Sequence, residues 1–554
     1  MVVSNRQFYE GLPQGGGLEG IAQSILEKYL QQFPFVATDL GLHDWDGQLP
    51  PLSEDAFRRF RQELNHARSL LDEIDINSLD REARADHSIL RHNVESLWLD
   101  FTRDHPEKRD PNLFNAMISE SLLSLARGSF GTLEERARSA VSRLNQIPGF
   151  LNDALAQLED PPVLFVDMAI SQFMQTVPFF HRDLPSAFAK APNGLSHEIY
   201  EAAQNAAHAY EKVVGMLQDN IKPRAAGDYR LGASRYQEKF YWLEGSRESL
   251  ESLVTRGMNE LGRLQEKMAA LTKEYAPGRS VNEAIHRIRQ NHASCDELLP
   301  QTQGLLAELR QFVENRGLVS LPLSPHPRVV ETPAFMRMTT LASIVPPGPF
   351  EPDILQAYFQ LTLPDSQWPE EARQSQLQTL NQAALRLIAI HEVYPGHFLQ
   401  FLHIPTNKST VRRVFGSAAF MEGWAHYAEE MMIEQGYGVN DPAVGMTQVL
   451  EALERVGRFI GGIQLHRGTW SLEETEKFFE NACYMTPLGA KRESLRGTED
   501  PFYLVYTWGK LQIMDLRRKA QTKWGPEFTL KRFHDAILSQ GMPMIPVLSK
   551  LLFP

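Results

Sequence analysis

Cysteine is nearly missing: Cys295 and Cys483 are the only two in 554 residues, far apart and in no C-x-x-C pattern. That excludes a disulfide framework, argues against a cysteine metal site, and leaves two buried or idle thiols as the expected reading. Basic charge is also in short supply. Lys and Arg number 56 against 69 Asp and Glu, a net charge of −13. With no long basic run, nucleic acid and anionic membrane surfaces are poor partners. No run of about 18 apolar residues is expected to span a membrane, and the first 20 residues lack a basic segment followed by an apolar core. The expected location is the cytoplasm. Strand-like alternation is scarce too, and no internal repeat of fixed period is present.

What remains is helical periodicity in a composition that is 42% hydrophobic and 23% charged, ordinary for a globular chain. Residues 1–20 read as a flexible segment; Gly15-Gly16-Gly17 lacks the Lys-Ser/Thr ending of a phosphate loop. Ser53-Glu54-Asp55 reads as a helix start, followed at helical spacing by Phe57, Phe60, Leu64 and Leu70. Amphipathic segments continue at 81–103, 133–158, 196–219 and 247–271, so residues 21–316 are expected to form a helical lobe. Eight prolines between Pro322 and Pro352 then exclude continuous helix. Two short strands are expected there, near 337–344 and 355–363, forming a small sheet. Residues 317–554 are expected to form a second lobe. Within it, Tyr358 and Gln360 on the second strand are candidates for pairing with an extended ligand, as at a sheet edge.

Pro369-Glu370-Glu371 opens the next helix, and Leu377, Leu380, Ala384, Leu387 and Ile388 form a stripe that delivers His391-Glu392. Two histidines four apart on a helix reach one metal while an adjacent glutamate handles water. Here the fourth position is Pro395 and the second histidine is His397. Six residues turn an ideal helix through about 240°, which points the two imidazoles apart. A bulge or kink at Pro395-Gly396 would swing His397 back. On this stretch alone, zinc ligands and two ordinary histidines both stand as readings. Downstream, Glu422, His426 and Glu429 share one helix face beside Phe420 and Trp424. Glu422 can complete a His-His-Glu set with a fourth position open.

His-Glu-Val-Tyr-Pro-Gly-His at 391–397 and Glu-Gly-Trp-Ala-His-Tyr-Ala-Glu at 422–429 resemble the bacterial domain-of-unknown-function family 885, whose pattern is H-E-x-x-P-G-H and then E-G-W-A-x-Y-x-E. Tyr229-Arg230-Leu231-Gly232, the His466/Trp470 spacing, Tyr506-x-x-Gly509, Phe533–Leu538 and Gly541 extend the resemblance over most of the chain. Gly462 and Gln464 depart from it, standing where the family has aspartate and glycine. The family is regarded as zinc metallopeptidases distantly similar to helical gluzincins such as carboxypeptidase Taq, angiotensin-converting enzyme and thimet oligopeptidase. The resemblance implies a mainly α, two-lobed metallopeptidase-like fold around a deep cleft, with the small sheet beside the zinc helix. It implies one zinc per chain on His391, His397 and Glu422, with Glu392 as general base. Glu429 would accept the second N–H of a ligand histidine, and His426 would stand behind the ligands or serve structure. Tyr506 is the first candidate for oxyanion donor and His466 another; Tyr503 and Lys510 are candidates for substrate contact. The implied function is hydrolysis of peptide bonds in short peptides. Alternatives are a zinc amidohydrolase acting on a non-peptide amide, or a helical binding protein with a non-catalytic metal site. Cleavage mode, sequence preference and oligomeric state are not legible.

Overall fold

A computed structural model describes residues 17–333, 336–337, 340–351, 356–365 and 367–553; most of the expected N-terminal segment lies outside them. The described residues are mainly helical, with one three-stranded sheet. The chain divides into two compact units. One comprises Met1–Tyr229 with Pro333–Met338 and Pro347–Gln356, the other Arg230–Thr332, Thr339–Pro346 and Ala357–Pro554. The expected boundary at 316/317 thus moves back to 229/230. The cause is packing: Leu261, Leu264 and Met268, from helix Leu250–Tyr275, share one apolar core with Val456, Phe459 and Trp424.

In the first unit, local signals set the helices. The Ser53 hydroxyl accepts the Ala56 N–H and starts helix Glu54–Asp72. A reciprocal Thr132–Glu135 capping box starts Leu133–Gln157. That helix packs on Leu195–Met216, where Ala137, Ala140, Ala203, Ala206 and Ala207 are all fully buried. Small residues there let the backbones approach closely. Contrary to the sequence expectation, Val163–Ala187 is long and apolar enough to cross a membrane by length and composition. A third of that apolar stretch is buried, 33%, with Phe165, Val166, Ala169 and Phe173 as its buried face within this unit. Between helices, the His43 ring lies between two carboxylates, Nδ1 3.0 Å from Asp46 and Nε2 3.2 Å from Glu351, stacked on Phe130.

In the second unit the sheet runs in the order β1 (Arg328–Glu331), β3 (Tyr358–Leu361), β2 (Ala342–Val345). β1 is parallel and β2 antiparallel to β3. The two expected strands are β2 and β3, shorter than expected; 338–339 and 355 lie outside the described residues. β1 was not expected, since Pro325 and Pro327 obscure it. The order corrects one expectation: β3, with Tyr358 and Gln360, is the centre strand, so its backbone has partners on both sides. β2 is the edge.

The stripe leading to His391 is two helices, Glu370–Thr379 and Gln382–Glu392, not one. Asn381 accepts the Ala384 N–H and so restarts the helix as an N-cap. Helix Ala418–Glu434 begins at Ser417 and Glu244: Ser417 accepts the Phe420 N–H, and buried Glu244 accepts the Ala419 N–H at 3.1 Å. Along its length it lies against Val505–Trp524 at the crossing of Gly423 and Gly509. A Cβ at Gly509 would stand 1.9 Å from the Ala419 carbonyl oxygen. The Tyr-x-x-Gly spacing therefore carries a packing requirement.

Candidate metal centre

Helix Gln382–Glu392 stops one residue after His391, and a new helix begins at His397. Between them the Tyr394–Pro395 peptide is cis, and the Gly396 N–H reaches back to the Ile390 carbonyl at 2.9 Å. A Cβ at Gly396 would stand 1.8 Å from the His391 carbonyl oxygen, so only glycine fits. Proline supplies no N–H for the helix ladder. The Pro395 carbonyl is taken by the indole N–H of Trp424 at 2.9 Å. The expected interruption is present, and Trp424 holds it in place.

The turn brings the two imidazoles together, ring centres 4.7 Å apart and planes at 87°. Glu422 Oε2 lies 3.7 Å from His391 Nε2 and 3.5 Å from His397 Nε2. One donor atom from each of the three lies within 4.8 Å of the other two. An ion about 2.1 Å from two donors at a tetrahedral angle sets them roughly 3.4 Å apart. The separations match that spacing and exceed a direct hydrogen bond. His391 Nδ1 lies 2.8 Å from Glu429 Oε1, so the carboxylate accepts that N–H and turns Nε2 toward Glu422. His397 Nδ1 is buried and makes no hydrogen bond among the described residues. Its ring is instead set by stacking on Phe401. The residues present therefore fit a divalent cation with one position left over.

The electrostatics agree. Burial alone would push Glu422 up, but the two histidines hold it well below the usual carboxylate range. Burial pulls His391 down, and the Glu422 and Glu429 carboxylates outweigh it and lift it to about 9, so a cation at Nε2 would take the place of a proton there. Glu429 is held low, against its burial, by Arg455, His391 and His426; Arg455 Nη2 stands 3.2 Å away. His426, 3.3 Å from the other Glu429 oxygen, is pushed down to about 4 by burial and by Lys510. It is a neutral ring behind the His391–His397–Glu422 cluster.

Glu392 follows His391 on the last helical turn and accepts the backbone N–H of Ile344, on β2, at 3.1 Å. A cavity of about 300 Å³ opens beside it, lined by His391, Glu392, Glu429, Tyr506, Arg455, Arg458 and Arg496 among others. Tyr506 is thus at the cavity wall. The remaining candidates are not. His466 is buried with Nε2 2.7 Å from the Gly497 carbonyl. Tyr503 is fully buried against Gly462 and Gly497. Lys510 is fully buried between Glu260 and Glu430. These three hold helices together, which corrects the expectation of catalytic or substrate contact. Sequence reading missed Arg455, Arg458 and Arg496. The signal was available for two of them: Arg455 and Arg458 each stand four residues after a glutamate, Glu451 and Glu454, on a largely apolar helix, and charges in such a helix need partners.

The model of a family described as bacterial protein of unknown function (DUF885) matches residues 34–552. No curated protein matches. Among solved structures, "a putative lipoprotein of unknown function from Shewanella oneidensis" is similar at a TM-score of 0.79 and 23% identity, over 98% of this chain and 100% of that one. "The putative lipoprotein from Colwellia psychrerythraea" is similar at 0.81 and 17%, over 96% and 98%. Both likenesses are of fold.

Proposed function

This chain belongs to the DUF885 family, and we propose from that premise that it is a zinc-dependent hydrolase of peptide bonds in short peptides. The observation that carries the reading is the His391–His397–Glu422 triad, with His391 and the adjacent Glu392 in the wall of one cavity. The two-lobed, clefted architecture expected from the sequence, the cytoplasmic location and the single zinc per chain belong to the same proposal. Zinc bound to this triad supplies a Lewis acid that brings the proton loss of water close to neutral pH.

The chain's own groups do the rest. Glu392 takes the proton of the attacking water and delivers it to the leaving amine. Its Oε2 is oriented by the Ile344 N–H, which fixes the carboxylate against β2. Burial and the charge of Glu422 push the Tyr506 phenol up, so it stays protonated and donates to the oxygen on which charge develops. Glu429, itself held by Arg455, fixes the orientation of the His391 ring through Nδ1. The outer side of β2 carries no strand among the described residues, and there an extended peptide would add a strand next to Glu392. A structural metal site closes all four positions with protein ligands and has no use for an adjacent base; three donors and Glu392 favour catalysis over mere metal binding.

Metal analysis after zinc loading is expected to find one zinc per chain. Glu392→Gln is expected to keep that zinc and lose about 10²–10⁴-fold in turnover of a peptide library, the usual worth of a positioned base. No zinc uptake, or equal turnover by the variant, overturns the reading. A library in which only non-peptide amides are hydrolysed shifts the reading to an amidohydrolase.

A further inference from the structure

Three arginines reach the cavity beside the centre, Arg455 and Arg458 from helix Pro442–His466 and Arg496 from Pro487–Glu499. Their guanidinium carbons all lie 5.4–6.0 Å from the ring centre of Tyr506. They differ in what else they hold. Arg458 forks onto Glu493 through Nε and Nη2, at 2.6 and 3.0 Å, and also meets Glu454. Arg455 is committed to Glu429 at 3.2 Å and Glu451 at 3.4 Å. Arg496 makes polar contacts through Nη2 alone, 3.4 Å to Asp500 and 3.5 Å to the Tyr506 hydroxyl. Both distances are at the outer limit of a hydrogen bond. Its Nε and Nη1 make no hydrogen bond among the described residues. The side chain is 39% exposed, so the Asp500 pair contributes little.

A guanidinium with one N–H edge unused, in a cavity shared with a hydrolytic site, matches one chemical group: a planar carboxylate taken by two parallel N–H donors. Resting on the hydrolase reading above, we propose that Arg496 binds a carboxylate of the substrate close to the bond that is cut. The anion would not meet the neighbouring acids unopposed, because the cavity wall carries three guanidinium groups, Arg455, Arg458 and Arg496, beside the carboxylates of Glu392, Glu429 and Glu451. The carboxylate comes either from the peptide's C-terminus, which makes the enzyme cut near that end, or from an Asp or Glu side chain. Arg496 positions substrate and takes no part in proton transfer.

Three tetrapeptide pools separate the cases: free C-termini without acidic side chains, the same pool amidated, and an amidated pool with one Asp or Glu per peptide. With zinc-loaded protein, kcat/KM is expected to favour a carboxylate-bearing pool about ten-fold or more over the amidated neutral pool, as charged pairs with good geometry do. Preference for the first pool assigns the C-terminus; preference for the third assigns the side chain. Arg496→Gln is expected to erase the preference by losing rate on the favoured pool alone, and Arg496→Lys to keep part of it. Equal cleavage of all pools by the parent chain, or an unchanged preference in Arg496→Gln, overturns the proposal. If no pool is cut, the hydrolase reading fails separately, and equilibrium dialysis of the same pools against the Glu392→Gln chain still reads the site. Carboxylate-dependent retention that Arg496→Gln abolishes supports it; equal retention or none overturns it.

Discussion

Two histidines in this molecule sit between two carboxylates, and both are lifted to about 9 against the pull of burial. His43, in the first unit, uses both ring nitrogens at 3.0 and 3.2 Å, on Asp46 and Glu351. His391, in the second, uses Nδ1 at 2.8 Å on Glu429 but stands 3.7 Å from Glu422 through Nε2. The first is a closed ion triad. The second is held open by about half an ångström, and a second imidazole, His397, faces the same Glu422 oxygen. Charge and residue types are nearly the same in both. What separates an internal ion pair from a candidate cation site is the gap: His43 lies on the short 3-10 helix His43–Trp45, whereas His391 ends a helix before the Pro395-Gly396 turn, whose Pro395 carbonyl Trp424 holds.

The largest effect that should break the comparison is on zinc. His397→Ala or Glu422→Ala is expected to lower zinc affinity by more than the 10–100-fold that loss of an outer hydrogen-bond partner costs. His43→Ala is expected to leave it unchanged. Competition with a chromophoric chelator measures all three. Zinc uptake that depended on His43, or survived His397→Ala, would show that the gap is not the distinguishing feature. Glu429→Gln falls between, at 10–100-fold, since it keeps an acceptor for His391 but gives up the charge that Arg455 pairs with.

How much of this was legible follows the same division. The candidate ligands, the candidate base and the interruption at Pro395-Gly396 could be read because each rests on local chemistry: donor types, a missing N–H, a residue without a Cβ. The family resemblance pointed to the same positions. The N-cap at Asn381 was legible as well and was missed, so two helices were read as one. The strand order was not legible, because pairing partners 30 residues apart are decided by tertiary contact, and Tyr358 and Gln360 were placed on an edge that belongs to β2. Lys510 illustrates the limit. Its helix pattern is indifferent, and only the fold reveals Glu260 and Glu430 on either side. The Gly462 departure has a similar source, since a Cβ there would stand 2.7 Å from the ring of Tyr503.

A smaller effect should sharpen the role of the turn. Gly396→Ala sets a methyl group against the His391 carbonyl, which the following helix cannot move away from without taking His397 along. The cost is expected near the top of the range for overpacking, about 3 kcal/mol. Zinc affinity should fall in the same variant while its ordered helix content is kept. Far-ultraviolet circular dichroism beside the chelator assay checks this, and full affinity in a destabilised Gly396→Ala chain would detach the turn from the site.

The smallest effect concerns the closed triad and is read as pH dependence. Because Asp46 and Glu351 together outweigh the burial of His43, the folded chain binds its proton up to about 9, whereas the unfolded chain releases it near 6.5. The folded state therefore holds more protons between those values, and stability must fall as pH rises through that window. The contribution is fully present below 6.5 and lost above about 9. At about 1.4 kcal/mol for each unit of difference, and allowing for screening where the ring meets solvent, it is on the order of 2 kcal/mol. His43→Gln keeps the ring's place but cannot carry the proton. Its stability should be lower than the parent's at pH 6.5, and the difference should shrink toward pH 9. Thermal unfolding of the zinc-loaded parent and variant at both pH values measures it. A pH-independent difference would mean that His43 contributes by packing on Phe130 alone, and that the resemblance between the two histidine clusters is one of composition only.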